Sequence, residues 1–534
     1  MKYTNTHIDA TAMLSANYKI GENFNISGMA GWNLNQLDYS YTGASVSELE
    51  VPDWYSLLNT SSAVTVSTYN SRRRLIGAFA QAELAYKDFL YLNLSARNDW
   101  SSTLPVNNNS FFYGGANVSL LLNNMIPSLK DAKFDLLKVR LAAGQTGNDA
   151  GVYMTYGTFR PTQVGYTYLP IAGAAGLTEY NTKPSTTLKP EITTEWEVGI
   201  SGAMFQNRLT FDFAYYDKVT KDQIISATLP TETGYTSETK NVGKLGNKGI
   251  EAAISVTPIR KGDWEWEVGV TFAKNNSKVI ELWDGLEEYS YTNSRGVYYV
   301  LREGGPIGEF RIPAVAKVTD KNSPYYGYEI VNNNGWYNTD ATSYEYLGCS
   351  QADFTLGFTT NLRWKDLSFS MVGDWRKGGN MYSETAYISH FNGNSTQTVY
   401  NERDSYIIPH TVKVVNGEYV ENNIPVKANQ MNYAQGNYSY NQQLRRHFVL
   451  PRDYFKIREI ALSYNLPSKL IQKTFLKQIT VSAIGRNLFL GTPERNNYVD
   501  PEASNLGNDL LSEFGESGGT ISTKNYGFGL KVVF

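Results

Sequence analysis

Roughly fifteen stretches of about ten residues alternate apolar with polar or small side chains, and the connections between them are short and long in strict turn. Ile8, Ala10, Ala12, Leu14, Ala16 and Tyr18 lead through Gly21-Glu22-Asn23 into Phe24, Ile26, Gly28, Ala30, Trp32 and Leu34. Ile76, Ala78, Ala80, Ala82, Leu84 and Tyr86 turn at Lys87-Asp88-Phe89 into Leu90, Leu92, Leu94 and Ala96. Trp196 to Met204 returns as Leu209 to Tyr215, and Ile250 to Val256 as Trp264 to Phe272. Phe354 to Trp364 returns as Leu367 to Trp375, and Tyr526, Phe528, Leu530, Val532 and Phe534 close the series. Residues two apart share a face of a strand, so each stretch offers one apolar and one polar face. Antiparallel neighbours with this spacing place every long connection at one edge. Propellers and sandwiches do not sort connections by length in that way, whereas membrane barrels do. The expected fold is therefore all-β, a transmembrane antiparallel β-barrel.

Energetics favour the same answer. An open sheet in hydrocarbon leaves two edges of unpaired backbone groups, each costing several kcal/mol, against the ~5–15 kcal/mol by which whole domains are stable. Either the ends close on one another or further strands complete a larger ring. A secreted all-β protein is the alternative in water.

Composition narrows the functional classes. Mean hydropathy is -0.38, and no apolar run approaches the ~20 residues of a spanning helix. The 39 Tyr and 13% aromatic content suit rings at a membrane interface or on a sugar-binding surface. A net charge of -3 with no Lys/Arg tract gives no phosphate-tracking groove, so nucleic acid is not an expected partner. Arg72-Arg73-Arg74 is the densest basic cluster and reads as a solvated strand end. Cys349 is the single cysteine, which removes intrachain disulfides and Cys-rich metal sites. Met1 to Asp9 has no apolar signal core, which for an exported protein implies a processed or truncated chain.

The long connections are expected over Gln36 to Arg72, Asn98 to Ser110, Gln145 to Thr194, Asp217 to Lys248, Asn276 to Ala352, Arg376 to Arg452 and Asn487 to Lys524. If Phe534 ends at the periplasmic face, all of them are extracellular.

Several motifs resemble the C-terminal barrel of SusC/RagA-type TonB-dependent transporters of the Bacteroidetes outer membrane. They are Leu188-Lys189-Pro190-Glu191 with Glu195-Trp196-Glu197-Val198-Gly199, Tyr215 to Asp222, and Asn241-Val242-Gly243-Lys244 with Asn247 to Glu251. Asp374-Trp375-Arg376-Lys377-Gly378-Gly379, Tyr454 to Pro467, Gly485-Arg486-Asn487-Leu488-Phe489, Asp500-Pro501-Glu502 and Tyr526 to Phe534 follow in family order. Ala96 to Ser102 departs from the family form by carrying Trp100 in place of a glycine. The resemblance implies that residues 1–534 supply roughly fifteen strands of a 22-stranded barrel, with the N-terminal plug, the TonB-contacting segment and the signal peptide absent from this sequence. It implies outer-membrane import of oligosaccharides or peptides, energised by a TonB complex through that plug and shared with a SusD-like surface lipoprotein. A passive porin, or a secreted carbohydrate-binding protein or glycosidase, are the alternatives.

No enzymatic chemistry, metal or cofactor is expected. His7, His390, His410 and His447 lack paired-ligand spacing, and Gly243-x-x-Gly246-x-x-Gly249 is a return into a strand rather than a phosphate loop. Glu195 and Glu197 share a lumenal face, and Asp500-Pro501-Glu502 reads as a turn, with calcium a minor alternative. Asp374 and Arg376 are the lumenal charges expected near the outer rim, to bind plug or substrate or to pair within the wall. Trp54, Tyr55, Trp283, Tyr325, Tyr326, Trp336 and Tyr337 lie in long connections and are candidates for substrate or lid contact, because aromatic rings stack on sugars and peptides. Packing of the loops on themselves is the competing explanation.

Overall fold

The computed structural model describes residues 1–534 apart from 158, 162, 165, 166, 169–176, 180, 230, 284, 285, 428–441, 473 and 509. Parts of the expected Gln145–Thr194 and Arg376–Arg452 connections thus lie outside the described residues. Fifteen strands form one sheet in chain order, matching the expected count. They are β1 (Lys2–Ile20), β2 (Phe24–Ser45), β3 (Thr65–Tyr86), β4 (Leu90–Ser101), β5 (Ser110–Leu121), β6 (Phe134–Asn148), β7 (Glu191–Met204) and β8 (Leu209–Lys221). There follow β9 (Lys244–Lys261), β10 (Trp264–Glu281), β11 (Phe354–Trp364), β12 (Leu367–Lys377), β13 (Tyr454–Asn465), β14 (Gln478–Gly491) and β15 (Asn525–Val533). The chain divides into two compact units.

The first unit comprises Met1–Ile200 with Tyr216–Gly246. In its β1 to β5 registers Ala12 faces Trp32, Trp32 faces Ala78, Ala82 faces Leu94 and Leu92 faces Val118. All lie on the apolar register, so the alternation read from sequence is one continuous outer face. Lys87 and Asp88 both have positive φ, 49° and 53°, the conformation that lets a two-residue turn follow the strand twist. The β2–β3 hairpin continues well beyond the expected strand ends, and its loop is confined to residues 46–64. The reason is that polar cross-strand pairs carry the ladder on: Gln36 opposite Arg74, Asp38 opposite Arg72, and Tyr39 opposite Ser71. Backbone pairing needs no apolar face once the strands are in water.

The second unit comprises Ser201–Tyr215 with Asn247–Phe534. Trp264 pairs and stacks with Trp364 at 5.5 Å between ring centroids, and Val270 faces Phe358. Phe358 faces Gly373, lies across it and stacks on Phe455 at 5.6 Å. The outer face is not wholly apolar: Thr360 belongs to it and accepts from Trp266 Nε1 at 2.9 Å. The ladder is interrupted once between β12 and β13. Val372 pairs Glu459 but Gly373 pairs Ile457, so Arg458 is an extra residue in β13 and the inner face gains a second cation next to Lys456.

The long connections of this unit fold together. Glu288–Ser294, Val297–Arg302, Ile307–Val315 and Thr339–Cys349 make a four-stranded sheet. Its buried face, Val297, Tyr299, Phe310 and Ile312, shares a core with Met381, Tyr382, Ala386, Tyr387, Phe448, Val449, Leu450 and Phe514. Those residues come from three separate connections. Burying several such side chains at ~1.5–3 kcal/mol each holds the loops as a folded cap rather than as tethers.

Candidate functional site

Three motifs far apart in sequence meet at the outer end of β12 and β13. The register places Asp374 opposite Gly357 and Lys456, and Arg376 opposite Thr355 and Tyr454, all off the apolar face. The register therefore puts Asp374 and Arg376 on the sheet face opposite the apolar one. Arg458 Nη2 donates to Asp374 at 2.8 Å, and its Nη1 and Nη2 donate to the two oxygens of Glu502 at 2.5 and 2.6 Å. Lys456 Nζ donates to both oxygens of Asp500, at 2.7 and 2.8 Å, and to Glu502 at 2.5 Å. Tyr454 OH adds a bond to Glu502 at 2.9 Å. Arg452 donates to the carbonyl of Pro501 at 3.1 Å and pairs with Glu513.

Asp500-Pro501-Glu502 is the turn expected, with Ala503 N bonded to Asp500 O at 2.8 Å. Its carboxylates meet ammonium and guanidinium groups. Burial pushes the Glu502 carboxyl up, but Arg458 and Lys456 outweigh it and hold the group near 2. Among the described residues no group of carboxylates, histidines and cysteine could hold a metal ion. Arg376 differs from its neighbours: Nη2 donates to Ser350 O at 2.7 Å, while Nε is buried without a partner.

A second clamp ties the last long connection to the cap. Glu516 is fully buried and accepts from Ser383 Oγ at 2.6 Å, Thr385 N at 2.9 Å, Thr385 Oγ1 at 2.9 Å and Gly519 N at 3.1 Å. Burial raises its carboxyl and these donors more than reverse the effect, leaving the group below its ordinary range. Ser383 also caps the helix Glu384–Phe391 through Ala386 N at 3.1 Å.

The aromatic candidates divide. Trp54 and Tyr55 belong to the first unit and are 55% and 84% exposed. Trp283, Tyr325, Trp336 and Tyr337 are half-buried and Tyr326 is 54% exposed, all within one connection of the second unit. Trp336 sits on a turn in which Asn332 N donates to Trp336 O at 2.7 Å, and burial pushes the Tyr337 hydroxyl up to about 12. Tyr325 packs edge-on against Tyr328 at 5.6 Å. Close by, Glu329–Val331 pairs in parallel with Thr411–Val415, so the two longest connections share a sheet.

Polar pairs also line the inner face of the first unit. Arg97 Nε holds Asp99 at 2.8 and 3.0 Å, its Nη2 holds Asn33 at 2.9 Å, and Tyr113 OH donates to Asp99 at 2.5 Å. Glu197 of the expected lumenal pair accepts from Arg140 Nε at 2.8 Å.

A family model described as "TonB dependent receptor-like, beta-barrel" matches residues 2–319. The chain belongs to that family. It is similar to TonB-dependent receptor P3 of Formosa agariphila, 25% identical over 94% of this chain and 50% of the relative. It is also similar to TonB-dependent receptor SusC of Bacteroides thetaiotaomicron, 24% identical over 57% of this chain and 31% of the relative. Among solved structures, the RagAB peptide transporter superposes with a TM-score of 0.76 at 19% identity, over 99% of this chain and 56% of that one. The SusC/RagA resemblance drawn from the motifs thus stands. The chain spans about half the length of the curated relatives P3, P26 and P39. This TonB-dependent receptor chain is an outer-membrane protein.

Lys456, Arg458 and Glu502 all sit within the motifs that carry the resemblance, yet the motifs give them no joint role. A signal was present: two cations two residues apart on one strand, and two carboxylates two residues apart on a turn.

Proposed function

We propose that this TonB-dependent receptor chain forms wall and outer cap of a TonB-energised importer of oligosaccharides or peptides, working with a SusD-like surface lipoprotein. The observation that carries the reading is the cap itself. Three long connections share one core and are pinned to the inner wall by the Lys456–Asp500 and Arg458–Glu502 pairs. A preformed surface of this kind suits docking of a lid, since little loop entropy is lost on association. Trp336, Tyr337 and Tyr326 are the proposed contacts, and Arg376 is the lumenal charge left for plug or substrate. TonB coupling runs through a plug supplied by sequence beyond these residues.

Protease applied to intact cells carrying the full-length protein tests the topology. Cleavage is expected within Arg376 to Arg452 and not at Asn465 to Gln478; the reverse pattern removes the basis for an outer cap. Trp336→Ala is expected to weaken lid association at least tenfold, at ~2 kcal/mol for an aromatic anchor, with folding intact. Residues 1–534 alone are expected not to restore uptake to a deficient strain.

A further inference from the structure

The run Arg72-Arg73-Arg74 is divided between the two faces of β3. Arg73 points inward, where Nε and Nη2 donate to Asp149 at 3.0 and 2.6 Å, and Asp149 also accepts from Ser101 and Thr103. Arg72 and Arg74 lie on the other face, in register with Ile76, Ala78, Ala80, Ala82 and Leu84. That face is the apolar one, so these two guanidiniums stand outside the wall.

Their height follows from the strand. Ile76 to Tyr86 spans ~33 Å along β3 at ~3.3 Å per residue, which a tilt of ~40° reduces to the ~25 Å of an apolar membrane band. Arg74 is the first outward residue past its end. Trp100, directly opposite Ile76, and Trp32, opposite Ala78, are 41% and 61% exposed and mark the aromatic rim just below. Above that rim the outward positions of β1 to β3 hold Lys2, Arg72 and Arg74 against one carboxylate, Asp38. Asp38 pairs with Arg72. Arg74 Nε donates to the neutral Gln36 Oε1 at 2.6 Å, and the carboxylate it feels, Asp38, is the one already paired with Arg72, so the two guanidiniums share a single negative charge. Beside the pair lies a hollow of about 560 Å³ lined by Thr4, Thr6, Asp38, Ser40, Asn70, Arg72 and Tyr153. It offers hydroxyl and amide groups of the kind that bond sugar hydroxyls.

We propose that Arg72, Arg74 and this hollow hold the phosphorylated sugar headgroup of a glycolipid in the surrounding outer leaflet. A guanidinium bonds phosphate through two parallel N–H groups and is weakly hydrated, which suits it to this layer. The hydroxyl-lined hollow takes the adjoining sugar, and the aromatic rim takes the start of the acyl chains. The inference rests on the outer-membrane placement of the sheet and the long-loop edge facing outward; it is independent of what the protein transports.

The test uses the full-length protein in detergent, titrated with bis-phosphorylated lipid A, with the same lipid dephosphorylated, and with inorganic phosphate, bound lipid being read by native mass spectrometry. Arg74→Gln is expected to weaken phosphorylated lipid A about fivefold, and R72Q/R74Q further. R72K/R74K keeps most of the affinity, and Lys87→Gln, a cation at the opposite edge, leaves it unchanged. Heat-dependent gel migration checks that each variant is folded; Arg74→Gln, which loses only an amide partner, serves if the double variant is not. Wild-type affinity in folded Arg74→Gln and R72Q/R74Q overturns the proposal. So does equal binding of dephosphorylated lipid by the wild type, or competition by inorganic phosphate at the same concentration as the lipid.

Discussion

Arg458 grips Glu502 through two parallel hydrogen bonds, 2.5 and 2.6 Å, across 44 residues of sequence. The strand residue thereby holds a loop turn against the inner wall, and Asp374 on the neighbouring strand fixes the guanidinium from the other side. Replacing Arg458 by Gln is expected to free the turn at 500–502. Each partner retains about a third of its side-chain exposure, so the loss is about 1–2 kcal/mol rather than the larger cost of breaking a fully buried pair. Hydrogen exchange over residues 492–524 should rise while exchange in β13 holds; an unchanged loop would mean that Lys456 alone secures it.

Acid should loosen the same contact in a defined window. The Glu502 carboxyl is held near 2 in the folded protein against an ordinary 4.5, a lowered pKa. Its stabilisation is therefore complete above about pH 4.5 and declines as pH falls toward 2. Glu516, also lowered, acts with the same sign. Hydrogen exchange at graded pH, corrected for the intrinsic pH dependence of amide exchange, would show protection in 492–524 falling below about pH 4.5. A fall already between pH 7 and 5 would point to another group.

Gly373 permits the outer aromatic stack. A Cβ there would overlap Phe358 Cζ and lie 2.7 Å from the Lys456 carbonyl oxygen. The ring could rotate away, but the backbone oxygen could not, and the 5.6 Å stacking of Phe358 on Phe455 would be lost. Gly373→Ala is expected to cost about 1–3 kcal/mol, read as a lower urea midpoint for refolding into vesicles. Phe358→Leu in the same background should recover part of it.

The two registers should answer differently to charge. Arg at Val268, Phe358 or Leu530 on the apolar face is expected to cost ~2–4 kcal/mol near the membrane midplane, with Ile200 and Phe213 in the same class. Thr359 faces Gly269 on the opposite side, and Thr359→Arg should cost little. Equal losses in both registers would refute the assignment of faces.

Strand number, pairing order and the two faces were all legible in the sequence, because the side-chain period of a strand is two and a slip of one residue would turn every apolar group to the wrong side. The short turns were legible as well: Lys87-Asp88 and Lys365-Asp366 leave the antiparallel chain no other way to return. Arg72 and Arg74 are exposed as expected, but Arg72 to Arg74 are not a strand end: β3 begins at Thr65, and where a ladder stops beyond the apolar band is not set by the alternation. Polar partners such as Gln36 and Asp38 set that stopping point.

The long connections were beyond the reach of any such pattern. Nothing local joins Tyr299, Met381, Phe448 and Phe514 into one core, because no period links residues brought together from three loops. The same holds for Asp374, Arg458 and Glu502. Each was visible as a charge in a motif, but an ion pair forms by distance in space, and the bulge at Arg458 that brings the second cation inward has no signature in the alternation around it. The repeat in the sequence dictates the wall; folding alone settles which loop residues meet and which buried atoms, such as Arg376 Nε, make no hydrogen bond.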